Sequence, residues 1–205
     1  MKITKAVITC AGPNQRKLPA QTLIDRDGNE KSVLEILVEE ALHAGVSKVG
    51  CVVNPEDKEI YLKVLGDYSR YVEFIEQNES LGYGHAILQS AKFIGEEPFL
   101  HLVGDHLYVN RDSKGCAAHL VSVAETEGCS VSAVNAIREN AMPNYGVIGG
   151  KRVKGSKELY LIDKIIYMRG LFPQFSVTNS VIDFPFIIYK TTVQIPREPK
   201  CLTAW

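Results

Sequence analysis

The chain has 205 residues, a hydrophobic content of 45% and a formal net charge of -1. This length suits one α/β domain around a single core and argues against a second domain of full size. The charge offers no bulk attraction to nucleic acid or anionic lipid, so a small-molecule partner is favoured over a nucleic acid or a membrane. The apolar runs are shorter than the ~20 residues that span a bilayer, and the N-terminus lacks signal-peptide features, so we expect a cytoplasmic protein.

The first two thirds of the chain alternate apolar runs with segments of helical periodicity. Ser32 and Gly45 fit the start and the stop of the first helix. The predicted strands are 5–10, 48–53, 71–77, 98–106 and 130–137, and the predicted helices are 33–44, 55–65, 84–95 and 116–128. This alternation predicts right-handed βαβ crossovers and a mostly parallel sheet with helices on both faces. Ligands of such sheets bind outside the carboxyl ends of the strands.

The pattern changes in the last third of the chain. Residues 145–153 and 158–166 are two short apolar runs joined by a polar link, which predicts an antiparallel hairpin or an extension of the sheet. Beyond residue 166 only FPFIIYKTTV, residues 184–193, is typical of a strand. We therefore divide the chain into a core, residues 1–166, and a tail of uncertain structure, residues 167–205.

Small residues and one arginine follow the first predicted strand. Ala11 and Gly12 lack bulky side chains, so their backbone N–H groups can approach a nucleobase edge or a phosphate closely. Arg16 carries a permanent cation whose planar fork suits phosphate oxygens. The segment has neither the dinucleotide fingerprint nor the Gly-Lys-Ser/Thr of a Walker loop. A plain strand-ending turn with a solvated arginine is the alternative.

A second glycine-rich loop spans residues 76–86, between the third predicted strand and its helix. Gln77 offers both a donor and an acceptor, which suits the pairing edge of a pyrimidine. Gly82 and Gly84 would admit a flat ring against the backbone. His85 is expected to cap the helix or to line the cleft. The alternative is a glycine-rich turn that binds nothing.

An aspartate follows the fourth predicted strand. Asp105 stands after a nearly continuous apolar run, at the edge of the sheet where ligands bind. One or two carboxylates together with substrate phosphates are the usual ligands of Mg²⁺. The alternative is a loop aspartate that caps the next turn. We expect His101, within the same strand, to be a hydrogen-bonded core histidine rather than a ligand.

Together these segments resemble the sugar-nucleotide pyrophosphorylases, a family of nucleotidyltransferases, and most closely the uridylyltransferases among them. The family's A-G-x-G-T-R-x-x-P is similar to residues 11–19, and its Q-x-x-x-x-G-L-G-H-A matches residues 77–86 in order and spacing. Its metal-bearing aspartate falls on Asp105 and its Y-G-V on residues 145–147. The resemblance covers residues 4–166.

The resemblance implies a Rossmann-like (GT-A-like) three-layer α/β nucleotidyltransferase fold. It also implies transfer of UMP from UTP to a sugar 1-phosphate, with glucose 1-phosphate the expected acceptor and pyrophosphate the second product. Arg16, at the phosphates, and Asp105, carrying Mg²⁺, are the catalytic residues it implies. Gly146 would contact the sugar through its backbone, and Lys164 is the candidate for the sugar phosphate. The residues implied around the nucleobase are Ala11, Gly12, Gln77 and Gly82. A homo-oligomer is compatible with this assignment.

Some positions depart from the family pattern. Asn14 and Gln15 replace a glycine and a threonine of the family motif. The residue directly after Pro19 is Ala20, where the family has a lysine. Residues 167–169 are Tyr-Met-Arg where the family has Glu-Lys-Pro. The candidates to replace the lysine after Pro19 are Lys17 and Lys31.

Four functions are compatible with these residues. The first is an active uridylyltransferase. The second is a catalytically incomplete nucleotide-binding or regulatory homologue, since the family lysines are missing and we expect a truncated or frame-disrupted member whose regular sequence ends near residue 166. The third is a transferase that uses dTTP or CTP, because Gln77 alone does not separate uracil from thymine. The fourth is a doubly wound domain without a nucleotide site.

Overall fold

The computed structural model describes residues 2–13, 17–25, 27–109, 114–136, 146–167, 186–194 and 201–204. The strands are β1 (Lys5–Thr9), β2 (Thr22–Ile24), β3 (Glu30–Ser32), β4 (Lys48–Val53), β5 (Val72–Glu76), β6 (Phe99–Val103), β7 (Ser130–Ala136), β8 (Gly146–Arg152), β9 (Tyr160–Tyr167), β10 (Phe186–Gln194) and β11 (Cys201–Ala204). The helices are α1 (Val33–His43), α2 (Lys58–Leu65), α3 (Tyr83–Gln89), α4 (Ala91–Ile94) and α5 (Cys116–Glu127), with 3₁₀ turns at Pro55–Asp57 and Gly66–Tyr71. The strands and helices predicted from residue 5 to residue 136 are present, but their bounds differ in places. Pro55–Asp57 is a 3₁₀ turn ahead of α2, the helix predicted at 84–95 is divided at Ser90 into α3 and α4, and β6 ends at Val103. Residue 137 lies outside the described residues.

A large mixed sheet forms the centre of the molecule, in the order β5-β4-β1-β6-β10-β7-β11-β9-β8. β5, β4, β1 and β6 run parallel, with Val7 on β1 opposite Gly50 on β4 and His101 on β6. This four-stranded part confirms the predicted α/β class. Because the four strands point the same way, their carboxyl ends lie along one edge of the sheet.

Helices cover both faces of the parallel strands. Alternate residues of a strand face opposite sides of a sheet. Ala6 and Ile8 of β1 join the core formed with α1, α2 and α5, whereas Val7 packs with Ala86 of α3 and Ile94 of α4. The predicted three-layer arrangement is therefore confirmed. Within the described ranges, no helix has both the length and the apolar character needed to cross a membrane.

Local signals explain the ends of α1. Ser32 Oγ accepts the N–H of Glu35 at 3.0 Å, and the Glu35 carboxylate accepts the N–H of Ser32 at 3.2 Å. This capping box satisfies two backbone donors at the start of the helix. After the helix, Gly45 has a φ of +91°, a left-handed conformation that glycine adopts without steric cost. Both ends of the helix lie where the sequence predicts them.

β10 belongs to the predicted tail but lies in the middle of the sheet. It runs antiparallel to β6 and to β7, with Thr192 opposite both His101 and Ser132. β8 and β9 form the predicted antiparallel hairpin. Within the run at 184–193, residues 186–193 are thus confirmed as strand, and the place of β10 between β6 and β7 is a finding of the structure. Residues 184 and 185 lie outside the described part of the chain. The division of the chain at residue 166 stays a prediction.

A hairpin of β2 and β3 lies between β1 and α1, where the sequence analysis predicts no strand. Its turn is held by Asp25 Oδ1, which accepts the N–H of Asn29 at 2.9 Å. From β3, Lys31 Nζ reaches both carboxylate oxygens of Glu39 on α1 at 2.8 Å. The hairpin is therefore fastened to α1.

Glu40 on α1 supplies the cap that α5 lacks from its own sequence. The residue before α5 is Gly115, which has no side chain to accept a backbone N–H. Glu40 Oε1 accepts the N–H of Ala117, in the first turn of α5, at 2.8 Å. A carboxylate at a helix N-terminus also interacts favourably with the helix dipole. This contact joins two helices on the same face of the sheet.

We predict that Glu40→Ala lowers the free energy of unfolding by about 1 kcal/mol, the typical cost of losing a helix cap. Urea unfolding followed by circular dichroism measures the change. Glu127→Ala is the matched control, because Glu127 is exposed in the last turn of α5, and its effect should stay within about 0.5 kcal/mol. Equal losses in the two variants would contradict the capping role.

Candidate functional site

A cleft opens at the carboxyl ends of β1 and β6, on the face covered by α3. Its cavity volume is about 250 Å³, and its walls come from the end of β1, the loop between β5 and α3, and the end of β6. The four residues predicted around a nucleobase all line it, namely Ala11, Gly12, Gln77 and Gly82. Other lining residues, which the sequence did not single out, include Thr9, Ser80, Tyr83 and Val103.

β1 delivers Ala11 and Gly12 to the cavity. The N–H of Cys10 donates to the carbonyl of Val52 at 2.7 Å, so the chain still follows β4 beyond the end of β1. Ala11 is buried and Gly12 is half-buried, and neither has a side chain that would fill the cavity. A ligand can therefore approach this backbone closely. Arg16 lies outside the described residues.

Gln77 directly follows β5, and its N–H donates to the carbonyl of Val53 at 2.8 Å. Gln77 lines the cavity although only 3% of the residue is exposed. Gly82 has a φ of +101°, so the turn that leads into α3 favours glycine. The two motifs that are far apart in the sequence thus meet at one cavity.

Asp105 lies near the cavity wall. The N–H of Gly104 donates to the carbonyl of Thr9 at 3.0 Å, which ties the loop after β6 to the end of β1. Asp105 is half-buried, and its Oδ1 is 2.7 Å from Nδ1 of His106. Among the described residues, Asp105 does not line the cavity, whereas Val103, two residues earlier, does. The carboxylate therefore lies in the loop just after the residue that forms the wall and is not itself part of the wall.

The residues predicted for the sugar lie further along the sheet. Gly146 begins β8, and its neighbour Val147 is opposite Ile187 on β10. The backbone of Lys164 lies in β9 opposite Gly149. Apart from these backbone positions, Gly146 and Lys164 lie outside the described part of the structure. Their part in the site stays a prediction.

Lys31, one candidate for the missing lysine, has acidic partners. Its Nζ is 2.8 Å from Glu39 Oε1 and 3.6 Å from Asp25 Oδ2. The hydrogen bond to Glu39 raises the pKa of Lys31 above its usual value, and the charges of Glu39 and Asp25 add to this effect. The ammonium group therefore binds the hairpin to α1. Lys17, the other candidate, is exposed.

The buried side chain of His101 contacts two residues that line the cavity, Thr9 and Tyr83. His101 is 2% exposed, and its Nδ1 is 2.9 Å from the hydroxyl of Tyr83 while its Nε2 is 3.4 Å from Thr9 Oγ1. Burial raises the pKa of Tyr83 above its usual value, so the phenol keeps its proton. The prediction of a hydrogen-bonded core histidine is confirmed. The sequence analysis does not predict Tyr83 as the partner of His101. The usable signal is that a tyrosine stands at position 83, where the family motif has a leucine, and so adds a hydroxyl group.

The sequence is similar to a known family and to named proteins. The family model described as nucleotidyl transferase matches residues 19–158. A protein of Methanocaldococcus jannaschii, provisionally named as a UTP–glucose-1-phosphate uridylyltransferase, is 30% identical over 190 residues, covering 80% of this chain and 65% of that protein. UTP–glucose-1-phosphate uridylyltransferase 2 of Streptococcus pyogenes serotype M3 is 27% identical over 192 residues, covering 80% and 64%. The chain thus spans slightly less than two thirds of these relatives.

Solved structures share the fold. A UDP-glucose pyrophosphorylase crystallised with UDP-glucose superposes with a TM-score of 0.71 at 22% identity, covering 95% of this chain and 76% of that one. UDP-glucose pyrophosphorylase from Acinetobacter baumannii gives a TM-score of 0.72 at 17% identity, covering 98% and 85%. At these identities the likeness establishes the architecture.

We predict that Gly104→Ala lowers the free energy of unfolding by about 1–3 kcal/mol, the usual cost of overpacking. A Cβ there would contact Cys10 Sγ and lie 3.0 Å from the carbonyl oxygen of Thr9. Urea unfolding measures the loss. The matched control is Gly84→Ala, because a Cβ at Gly84 meets nothing within 4 Å and alanine favours the helix by up to about 1 kcal/mol. A Gly104→Ala protein as stable as the parent would show that this close approach is absent.

We also predict that Tyr83→Phe destabilises the fold by about 1–3 kcal/mol, because His101 loses a hydrogen-bond partner in a buried position. Chemical denaturation monitored by fluorescence measures the effect. Tyr71→Phe, at the end of a 3₁₀ turn, is the control and should change stability by less than about 0.5 kcal/mol. A Tyr83→Phe protein as stable as the parent would remove the argument for a structural bond between Tyr83 and His101.

Proposed function

The chain belongs to the nucleotidyl transferase family, and we propose on this basis that it transfers UMP from UTP to a sugar 1-phosphate. Glucose 1-phosphate is the proposed acceptor, and a UDP-sugar and pyrophosphate are the products. The names of the relatives at 30% and 27% identity support UTP and glucose 1-phosphate as the substrates. The cytoplasmic location expected from the sequence stays a prediction, and a homo-oligomer stays open.

One observation carries the proposal: two separate motifs line the same cavity at the carboxyl edge of the sheet. Ala11 and Gly12 provide a bare backbone on one side, and Gln77 and Gly82 provide an amide and a turn on the other. A flat ring can stack against such a backbone while a buried amide bonds its edge. This arrangement supports a pyrimidine base as the group bound in the cavity.

The phosphates would extend from this cavity toward the loops that follow β1 and β6. Arg16, in the loop after β1, is the proposed cation for them, since its guanidinium suits phosphate oxygens. Asp105, after β6, is the proposed metal ligand. Its position at the strand end and its acceptor oxygens fit a Mg²⁺ ion held by one carboxylate and substrate phosphates. Such an ion would neutralise charge on the phosphates.

The described residues contain no cluster of three or more His, Cys, Asp or Glu side chains suited to a metal ion. Magnesium commonly keeps several waters and takes few protein ligands, so a single carboxylate is compatible with this ion. A structural zinc site would instead need four protein ligands. The donor set therefore favours Mg²⁺ that arrives with the nucleotide.

The sugar 1-phosphate would bind on the side of β8 and β9. Gly146 is proposed to contact the sugar through its backbone, and Lys164 to pair with the phosphate. This role for Lys164 is proposed because the lysine of the family's Glu-Lys-Pro motif is absent. All the proposed site residues belong to residues 1–166, which we propose as the nucleotidyltransferase core.

In the proposed reaction, a phosphate oxygen of the sugar 1-phosphate attacks the α-phosphorus of UTP. A new P–O bond forms while the bond from the α-phosphorus to the bridging oxygen of the β-phosphate breaks, so pyrophosphate leaves. Because both reactants are anionic, the protein acts by aligning them and by offsetting their charge, and no protein nucleophile is needed. Gln77, Arg16 and the backbone at Ala11 would hold the nucleotide in line.

A catalytically incomplete nucleotide-binding homologue is the second candidate. One observation favours it: Lys31, a candidate replacement for the family lysine, is bound at 2.8 Å to Glu39. A chain with too few cations at the phosphates would bind UTP and turn it over slowly.

We predict that the protein releases pyrophosphate from UTP and glucose 1-phosphate in the presence of Mg²⁺. Arg16→Ala should lower kcat by about 10²–10³-fold, the usual cost of removing one charge-stabilising group. Asp105→Asn should raise the Mg²⁺ concentration required for half-maximal rate. A coupled pyrophosphate assay measures both. Arg70→Ala and Asp67→Asn, at exposed positions on one 3₁₀ turn, are the matched controls.

The outcomes separate the candidates. Absence of pyrophosphate release, with UTP still raising the melting temperature, would favour the incomplete homologue. Absence of both effects would contradict a nucleotide site. Activity unchanged by Arg16→Ala would show that another group holds the phosphates.

A further inference from the structure

The side-chain amide of Gln77 is held from behind by two groups of the protein. Its Nε2 is 2.9 Å from Nδ1 of His85 and 3.4 Å from the carbonyl oxygen of Gly82. Among the described residues, His85 does not line the cavity, whereas Gln77 does. His85 therefore acts on a ligand only through Gln77.

The orientation of this amide follows from its neighbours. A terminal amide can be turned by 180°, which exchanges its oxygen and nitrogen, so the hydrogen-bond partners decide between the two. The Gly82 carbonyl can only accept, so the nitrogen of Gln77 must face it. The same nitrogen then donates to His85 Nδ1. One amide hydrogen is available for each of these acceptors.

This arrangement also fixes the tautomer of His85. Since Nδ1 accepts from Gln77, the ring proton of the neutral imidazole is on Nε2. His85 Nε2 lies 2.9 Å from Nε2 of Gln89, one helical turn further along α3. Two nitrogens that both carry hydrogens do not bond, so the amide of Gln89 takes the orientation turned by 180°. With the Gln89 amide turned so that its oxygen faces the ring, Nε2–H donates to it. The chain of bonds runs from Gln77 through His85 to Gln89.

We infer that His85 is a positioning residue that makes Gln77 an acceptor toward the base, and so selects uracil or thymine against cytosine. The inference rests on the proposed function of the cavity. Because both Nε2 hydrogens have protein acceptors, a ligand meets the carbonyl oxygen Oε1 of Gln77. Uracil and thymine carry a hydrogen on N3 and can donate to this oxygen. The N3 of cytosine is itself an acceptor, so two lone pairs would face each other if cytosine took the same position, with N3 opposite Oε1.

Without His85, one restraint on the amide is lost. Gln77 could then turn and offer its NH₂ group to cytosine, at the cost of placing its oxygen toward Gly82. Selection between bases is a difference of affinities, and a buried group that repels the wrong base supplies much of that difference. The bond between His85 and Gln77 would thus determine which pyrimidine nucleotides the cavity accepts. It would not distinguish UTP from dTTP, because uracil and thymine present the same groups at this edge.

Isothermal titration with UTP, dTTP and CTP tests the inference without requiring turnover. For the parent protein we expect UTP and dTTP to bind at least about tenfold more tightly than CTP, because a wrong polar match is costly. His85→Leu should reduce this preference to less than about threefold. His85→Asn should keep most of it, because the asparagine Oδ1 can accept from Gln77 where Nδ1 does now. Melting temperatures of both variants control for folding.

The two proposals fail in different ways. If the parent binds UTP, CTP and ATP equally or binds none of them, the proposed function fails. If the parent prefers UTP over CTP and His85→Leu keeps the full preference, the role of His85 is wrong and the proposed function stands. Equal loss of preference in His85→Asn and His85→Leu would also overturn the role, because rescue by a matched acceptor is required.

A measurement on the parent protein keeps the inference testable even if the variants do not fold. Long-range ¹H–¹⁵N correlation spectra distinguish the two neutral tautomers of a histidine. We expect the proton of His85 on Nε2, with Nδ1 unprotonated. A proton on Nδ1 would reverse the direction of the bond to Gln77 and overturn the inference.

Discussion

The in-register parallel pairing of β1 with β4 and β6 is the constraint on which the rest of the structure depends. Thr9 lies opposite Val52 on one side and Val103 on the other, so the three strands end in one row. The backbone of Ala11 leaves this row directly, and Gln77 leaves the adjacent strand β5. A slip of one residue in β1 would turn Thr9 to the opposite face and take it out of the cavity.

The sequence predicts the elements and much of the cavity because both depend on local signals. The capping box of Ser32 and Glu35 and the glycine at position 45 mark the ends of α1, and their bonds involve residues close in the chain. The motif residues Ala11 and Gln77 meet because parallel strands bring their carboxyl ends to one edge. The parallel topology therefore makes it possible to predict from the sequence that these two separate loops form one site.

The features that the sequence analysis does not predict depend on contacts between segments that are far apart in the chain or that carry few local sequence signals. The bond between Tyr83 and His101 joins the start of α3 to β6, and no spacing rule reveals it. The hairpin of β2 and β3 had one usable signal, the Asp-Gly pair that ends at Gly28, which is typical of tight turns. The attachment of Lys31 to Glu39 shows only when α1 and the hairpin are seen side by side.

The place of β10 has a consequence for how the protein is made. β7, β8 and β9 all precede β10 in the chain, yet β10 is the strand that pairs with β6. While the ribosome is still adding later residues, β6 has only β1 beside it, and its other side presents unpaired N–H and C=O groups. Such edges promote association between chains. Until β10 is synthesised, the open side of β6 is therefore the edge of the sheet at which incomplete chains are expected to associate.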